Sequence, residues 1–264
     1  MTKPRIIWIT GASSGIGEAL ALRWSAADTL LILSDRNLTQ VELVADQCRN
    51  KGAEVLVVPF DLTRADEIAM AVEKVRSVTT HLSILANVGG ISQRSLILDT
   101  PSEVARKIME TDFWGHADLT RLILPHMIKN GGGSIVVLSS FSGLFGFPQR
   151  SYYCAAKHAL HGFFETLMLE HHRDKIRVTM VCPGRVKTNI SYHALTSTGK
   201  EYGKMDIGQE NGVSASYCAA KIDKAVKRHR KLVIIGKKEV IMPFLKRFAP
   251  RLFFLIATRI DPNA

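Results

Sequence analysis

A tyrosine and a lysine four residues apart are the side chains of this sequence best suited to acid–base chemistry. Tyr153 and Lys157 stand at the start of a helical pattern, and residues with this spacing share one helix face. A phenol has a pKa of roughly 10, and a nearby ammonium favours the phenolate. Ser140 follows an apolar run upstream and is suited to bind the same substrate oxygen. Together they predict a general acid–base site for a carbonyl or an alcohol, although this spacing also occurs where the lysine is merely solvated.

A glycine-rich loop follows the first apolar run of the chain. Ile6 to Ile9 read as a buried strand, and a helical pattern begins after the loop. A helix N-terminus offers free N–H groups and a positive dipole to a pyrophosphate, and glycines allow close backbone approach. No Gly-Lys-Ser/Thr follows, which excludes a nucleotide-triphosphatase loop. We therefore predict a dinucleotide-binding loop rather than a plain glycine turn, with the contacts made by Gly11, Ser13, Ser14, Gly15, Ile16 and Gly17.

Asp35 ends the second predicted strand, at the distance from the glycine loop where an acidic residue receives the adenosine ribose. A carboxylate there favours NAD and repels the 2′-phosphate of NADP. Arg36, directly after it, favours the opposite choice and leaves NADP open. Asp35 is also suited to cap the helix that begins near Leu38. The sequence therefore predicts NAD or NADP as cofactor, with NAD preferred.

Strands and helices alternate along the whole chain, which predicts an α/β fold: one doubly wound parallel sheet with helices on both faces. In such sheets, ligands bind beyond the carboxyl ends of the strands. The residues singled out for chemistry all follow predicted strands, namely Gly11, Asp35, Asp61, Asn87, Ser140 and Pro183. We therefore expect one domain over residues 1–264 with one shared site, and a polar substrate loop over about 187–212.

Composition narrows the class of protein further. The 264 residues are 46% hydrophobic, enough for a sizeable core, and the four cysteines are scattered without a C-x-x-C pair. This pattern argues against a disulfide framework or a zinc site. Arg5 to Thr10 already read as a strand, and no apolar run approaches the about 18 residues of a membrane span. We expect a cytoplasmic protein without a signal peptide, with peripheral membrane contact as an open alternative.

The positive charge is concentrated at the end of the chain. The net charge is +11, and 12 lysines and arginines face 3 acidic residues from Lys221 onward. The C-terminal extension, about 237–264, alternates basic with large apolar residues, and its prolines at 243 and 250 favour short helices. Such a segment suits an anionic membrane surface, the cap of an apolar pocket, or packing in a homodimer or homotetramer. No nucleic-acid recognition motif accompanies the charge, so we expect no nucleic-acid partner.

With these residues in place, the chain resembles the short-chain dehydrogenase/reductase family from about Arg5 to Ile235. The residues from Thr10 to Gly17 match its cofactor loop. The resemblance implies that Ser140, Tyr153 and Lys157 are catalytic and that Lys157 also holds the nicotinamide ribose. It assigns further cofactor contacts to Asp61, Leu62, Asn87, Gly89, Pro183, Gly184, Val186 and Thr188.

The back third of the chain is similar to a membrane-associated subgroup near the 11β-hydroxysteroid dehydrogenases. This similarity implies a lipid, a steroid or another bulky apolar carbonyl or alcohol as the small-molecule substrate. One departure is Asp112, which stands where the family has a catalytic asparagine. An ionised aspartate accepts hydrogen bonds but donates none, so the proton relay to Lys157 is in question. The alternative to an enzyme is a cofactor-binding sensor or scaffold with little or no catalysis.

Overall fold

The fold is built on one central sheet of seven parallel strands, and the computed structural model describes residues 4–260. In chain order the strands are β1 (Arg5–Thr10), β2 (Thr29–Ser34), β3 (Glu54–Val57), β4 (Ile84–Asn87), β5 (Gln93–Arg94), β6 (Gly133–Leu138), β7 (Ile176–Pro183), β8 (Val186–Lys187), β9 (Leu195–Thr196), β10 (Val213–Ser214) and β11 (Leu232–Ile235). The central sheet has the order β11-β7-β6-β4-β1-β2-β3. The predicted doubly wound parallel sheet is confirmed.

Helices connect successive strands and cover both faces of the sheet. They are α1 (Gly15–Trp24), α2 (Leu38–Asn50), α3 (Ala65–Val78), α4 (Ser102–Met109), α5 (Gly115–Lys129), α6 (Ser151–Glu170), α7 (Ile207–Glu210), α8 (Ala215–Lys227), α9 (Ile241–Phe248) and α10 (Pro250–Ala257). A single π-helical turn, Glu110–Trp114, joins α4 to α5. No helix within residues 4–260 combines the length and the apolar character that a membrane crossing requires.

Strand β1 lies in the middle of the sheet and is buried on both faces. Ile7 and Ile9 face a core with α1, α2 and α8, whereas Ile6 and Trp8 face a core with α3, α5 and α6. The Trp8 indole N–H donates to Ser34 Oγ on β2 at 2.8 Å. Successive side chains of a strand point to opposite faces of the sheet, and in β1 both sets are apolar. This pattern is typical of a parallel strand that is buried on both faces. The glycine loop follows directly after the carboxyl end of β1.

The substrate loop contains more structure than its composition indicates. Strand β8 pairs with β10, and β5 pairs with β9, so both ends of the loop are tied down. Helix α8 begins only at Ala215, because Val213 and Ser214 form β10 and the Ser214 hydroxyl accepts from Tyr217 N at 3.1 Å. The C-terminal extension forms short helices, as predicted: α10 begins at Pro250, whereas Pro243 lies in the first turn of α9. Residues 261–264 of that extension lie outside the described residues.

Candidate active site

Tyr153 and Lys157 lie on one face of α6, as the spacing predicts. Both side chains are buried, and Lys157 Nζ is 5.6 Å from the centre of the Tyr153 ring. Gln93, a fully buried residue of β5, accepts hydrogen bonds from Tyr152 N at 2.9 Å and from Tyr153 N at 3.4 Å. These bonds satisfy N–H groups that have no partner inside the helix. The first turn of α6, which carries the tyrosine, is thereby fixed to β5.

Ser140 lies beside the tyrosine, just beyond β6. Its hydroxyl accepts a hydrogen bond from Ser142 N at 3.1 Å and also bonds the side chain of Tyr153. The same strand end contributes the Leu138 carbonyl, which accepts from Lys157 Nζ at 3.1 Å. The structure therefore brings together the serine, the tyrosine and the lysine that the sequence singled out.

The environment of Tyr153 favours the protonated phenol. Burial raises its pKa, and the negative charge of Asp112 acts in the same direction. Lys157 and the hydrogen bond with Ser140 lower it, with the sign expected from the sequence, but burial outweighs them. A buried phenol with a raised pKa is a proton donor at neutral pH, and it can become a base only when the neighbouring cation stabilises the phenolate.

Asp112 is fully buried in the π-helical turn and contacts Lys157 directly. Its Oδ2 lies 3.3 Å from Lys157 Nζ, and its Oδ1 accepts from Ile91 N at 2.8 Å. Burial raises the pKa of Asp112, and Lys157 opposes that effect. Gly90 leaves room for the pair, since a Cβ there would lie 3.3 Å from Lys157 Nζ. A π-helical turn is a common feature of functional sites, and here it turns the carboxylate toward the lysine.

His116 is a buried site neighbour that the sequence did not single out. Its Nε2 lies 2.7 Å from the Gly89 carbonyl oxygen, and burial lowers its pKa to about 3. The ring is therefore neutral, with Nε2–H as the donor to Gly89. This contact holds the backbone after β4 against the glycine loop. Only the position of His116 in the helix after Asp112 hinted at this role.

The dinucleotide cleft is built from close backbone contacts. Gly11 has φ +65°, and a Cβ there would lie 2.6 Å from Gly89 Cα, so no larger residue fits. The cleft has a volume of about 620 Å³. Its walls include the predicted residues Gly11, Ser13, Ser14, Gly15, Ile16, Gly17, Asp35, Arg36, Asp61, Leu62, Gly89 and Thr188. A glycine-rich cradle at the start of α1 fits a pyrophosphate, so the residues present fit a dinucleotide.

Two charged residues, Asp35 and Arg36, line this cleft at the end of β2. Asp35 accepts from Asn37 N at 2.9 Å, and the cap of α2 is Asn37 rather than Asp35, because Asn37 Oδ1 accepts from Gln40 N at 3.2 Å. Arg36 lies 4.0 Å from Asp61 Oδ2 and is exposed. The Asp35 carboxylate is therefore not occupied in capping the helix, and the Arg36 cation is drawn toward Asp61.

The side chain of Asn87, a residue for which the resemblance implies a cofactor contact, points away from the cleft. The residue is fully buried, and its Nδ2 donates to Thr120 Oγ1 on α5 at 2.9 Å. The side chain points into the helix layer because strand residues alternate between the two faces. This hydrogen bond joins β4 to α5 on the side of the strand that faces away from the cleft.

A second cavity, of about 560 Å³, lies next to the dinucleotide cleft. The walls of the two share Ile16, Gly90 and Thr188, so the cavities adjoin each other. The walls of the second cavity include the predicted residues Ser140, Tyr153, Lys157, Pro183, Gly184, Val186 and Thr188. Much of the remaining wall is apolar and is contributed by Phe141, Phe145, Phe147, Ile190, Ile241 and Met242. This arrangement brings acid–base groups and an apolar chamber to the inner end of the dinucleotide cleft.

A buried ion-pair network that the sequence did not reveal closes one side of this cavity. Asp206, in the substrate loop, is bonded by the guanidinium groups of Arg94 and Arg150, the latter at 3.2 Å. All three side chains are largely buried. Arg150 directly precedes α6, so the network ties the substrate loop to the helix of Tyr153 and Lys157.

Comparisons with known proteins agree with this geometry. The family described as short chain dehydrogenase matches residues 5–198. Dehydrogenase/reductase SDR family member 7B of Xenopus tropicalis is 38% identical over 256 residues, covering 94% of this chain and 83% of that protein.

Two solved structures have the same fold. A short chain dehydrogenase/reductase from Burkholderia phymatum, in complex with NAD, has 21% identity and a TM-score of 0.83 over 100% of both chains. An alcohol dehydrogenase from the archaeon Thermococcus sibiricus, complexed with 5-hydroxy-NADP, has 22% identity and a TM-score of 0.75 over 89% of this chain and 97% of that one. The resemblance expected from the sequence is confirmed, and the chain belongs to the short-chain dehydrogenase/reductase family of NAD(P)-binding oxidoreductases.

Proposed function

We propose that this protein transfers a hydride reversibly between a nicotinamide dinucleotide and a bulky apolar carbonyl or secondary alcohol. The observation that carries the proposal is the placement of the buried residues Tyr153 and Lys157 beside Ser140, at the wall of a largely apolar cavity that adjoins the glycine cleft. When bound, the dinucleotide supplies or accepts the hydride at its nicotinamide ring. The chain's own residues handle the substrate oxygen and its proton.

Tyr153 donates or removes the proton of the substrate oxygen. In carbonyl reduction the phenol donates its proton to the developing alkoxide, and in alcohol oxidation the phenolate removes the proton. Lys157 stabilises the phenolate and is oriented by the Leu138 carbonyl and by Asp112. Ser140 orients the substrate oxygen. General acid–base help of this kind contributes roughly 10²–10⁴-fold.

The test is nicotinamide absorbance with a panel of apolar ketones and secondary alcohols. We expect turnover by the wild-type protein, a Tyr153→Phe variant with at least about 10²-fold lower turnover, and an unchanged cofactor dissociation constant. Tyr152→Phe is the matched control, because that residue lies next to Tyr153 and does not line the cavity. Full turnover in Tyr153→Phe contradicts the assignment. Failure of every ketone and alcohol while the dinucleotide still binds supports the alternative of a sensor or scaffold.

We propose that NAD is preferred over NADP. The Asp35 carboxylate lines the cleft and repels a 2′-phosphate, whereas the Arg36 guanidinium lies toward Asp61. Fluorescence titration with both dinucleotides tests this preference, with Asp35→Asn as the variant. We expect Asp35→Asn to bind NADP more tightly than the wild type does. Tighter binding of NADP than of NAD by the wild type contradicts the proposal and makes Arg36 the dominant group.

We propose further that the outer face of α9 and α10 contacts an anionic membrane surface. Phe253 and Met242 are buried in a cluster with Phe141 and Phe145, and Lys246 Nζ is bonded to the Leu144 carbonyl at 2.7 Å. The opposite side exposes Phe244, Phe248, Leu252, Phe254 and Leu255 among Arg247, Arg251 and Arg259. An apolar face bordered by cations matches anionic lipid headgroups, whereas two copies of this face would repel each other.

Vesicle co-sedimentation tests the membrane contact. We expect binding to anionic vesicles, weak binding to zwitterionic vesicles, and loss of binding in a Phe248→Ser, Phe254→Ser variant. Leu169→Ser is the control, because Leu169 is an equally exposed apolar residue on α6. Equal sedimentation of all three proteins contradicts the contact.

We also propose that the protein forms a homodimer or homotetramer through other surfaces. Light scattering in the absence of lipid measures this oligomeric state directly.

A further inference from the structure

Arg185 is a cation in the substrate cavity whose guanidinium has no protein partner among residues 4–260. The residue is half-buried and lines the same cavity as Tyr153. Its guanidinium makes no hydrogen bond and lies within 4.0 Å of no carboxylate in that part of the chain. An arginine has several fixed N–H donors and no acceptor, so a half-buried guanidinium in a largely apolar chamber calls for an acceptor from a ligand.

The main chain of Arg185 is anchored on both sides, and its guanidinium packs against a glycine. Arg185 N donates to Glu239 Oε1 at 3.4 Å, and Arg185 O accepts from Val213 N at 2.9 Å. The guanidinium lies against Gly208 in α7, where an added Cβ would lie 2.6 Å from Nε. Gly208 therefore leaves the room that the guanidinium occupies in the cavity wall.

The other charged groups of the cavity do not neutralise this cation. Asp206 is shared by two other arginines, Arg94 and Arg150. Glu239 contacts the backbone of Arg185, but its carboxylate lies more than 4.0 Å from the guanidinium. Lys238 adds a second cation at the exposed edge of the same cavity. The cavity thus pairs apolar walls with positive charge on one side.

We infer that the substrate carries an anionic group, a carboxylate or a phosphate ester, on an apolar chain, and that Arg185 binds this group in a bidentate manner. Planar guanidinium groups match both oxyanions, and charge-assisted bonds of this kind are the strong ones. The inference rests on the proposed function, because it identifies the substrate class of that same site. Arg185 is then a specificity-determining residue that selects anionic over neutral carbonyl compounds.

Matched substrates test the inference by turnover. Medium-chain oxo-carboxylic acids, their methyl esters and ketoalkyl phosphates are compared in wild type, Arg185→Gln and Arg185→Lys. We expect wild type to prefer one of the anionic series, and Arg185→Gln to lower the anion-to-ester ratio of kcat/KM by about 10- to 100-fold, mainly through KM. Arg185→Lys should restore part of this ratio, because lysine keeps the positive charge but lacks the paired N–H donors of a guanidinium. The anionic series whose ratio of kcat/KM falls more in Arg185→Gln shows whether the site binds a carboxylate or a phosphate ester.

A binding experiment separates this inference from the reaction itself. Calorimetry in saturating NAD compares decanoate, decyl phosphate and decanol, with Lys187→Gln as the control that removes an exposed charge two residues away and outside the cavity. Anion binding that depends on Arg185, without turnover of any ketone, refutes the proposed reaction and supports the anion site. The opposite result is turnover of neutral ketones with no effect of Arg185→Gln on the preference for anionic over neutral compounds, in either the turnover or the binding assay. That result overturns the anion site and leaves the proposed reaction standing.

Discussion

Replacement of Gly11 by alanine probes the contact on which the dinucleotide cleft is built. Gly11 has φ +65°, and the new Cβ would lie 2.6 Å from Gly89 Cα and 2.7 Å from Gly89 N. Carbon atoms in ordinary contact are about 3.5–4.0 Å apart, so the two loops would have to separate by about 1 Å. Overpacking of this kind costs about 1–3 kcal/mol, and the left-handed backbone adds about 1–2 kcal/mol for a residue with a Cβ.

Gly203→Ala is the matched control, because Gly203 has φ +66° and nothing within 4 Å of its added Cβ. We expect a loss of about 1–2 kcal/mol in the free energy of unfolding for Gly203→Ala and about 2–5 kcal/mol for Gly11→Ala, measured by urea denaturation. The displaced loop should also weaken NAD binding at least about tenfold, for which about 1.4 kcal/mol of distortion is enough. Equal losses of stability and equal NAD affinities in the two variants would refute the close approach of the loops.

Three further variants test the acid–base group and the packing of α10. Asp112→Asn removes a negative charge that raises the pKa of Tyr153, so the alkaline loss of carbonyl reduction should move to lower pH; an unchanged pH–rate profile and turnover would exclude Asp112 from the proton relay. Phe253→Ala empties a buried site beside Phe145, with ring centres 5.3 Å apart, and should lower the free energy of unfolding by about 3–5 kcal/mol. Phe248→Ala is the control, because Phe248 is 76% exposed, and it should change that free energy by about 0.5 kcal/mol or less in the same urea titration. Similar losses of stability in both phenylalanine variants would contradict the packing of α10.

The parts of the fold and site that the sequence predicted are those encoded locally. The Gly11 turn, the Asp35 strand end and the Tyr153–Lys157 spacing each lie within one strand–turn–helix unit, where a few neighbouring residues determine the geometry. Parallel strands then bring their carboxyl ends to one edge of the sheet. The direction of the Asn87 side chain was not predictable in this way, because the motif does not specify which face of β4 it occupies.

The features that the sequence missed are long-range contacts. Asp206 meets Arg94 across 112 positions of the chain, and no local pattern links a loop aspartate to a strand arginine. His116 contacts Gly89 across 27 positions, and only the packing of α5 on β4 brings them together. Arg185 stands inside a recognised motif, yet its significance comes from the lack of a partner for its guanidinium among residues 4–260, which requires coordinates.

The pKa directions at the site set the protonation state from which each direction of the reaction starts. Burial and Asp112 both raise the pKa of Tyr153, so the phenol keeps its proton at neutral pH. Carbonyl reduction starts from this phenol, and donation of its proton leaves a buried phenolate that Lys157 and the hydrogen bond with Ser140 stabilise. Alcohol oxidation starts from the phenolate, so the proton must first be removed against the same burial. The contacts of Tyr153 with Lys157 and Ser140 are therefore needed in both directions, and alcohol oxidation should require a higher pH than carbonyl reduction.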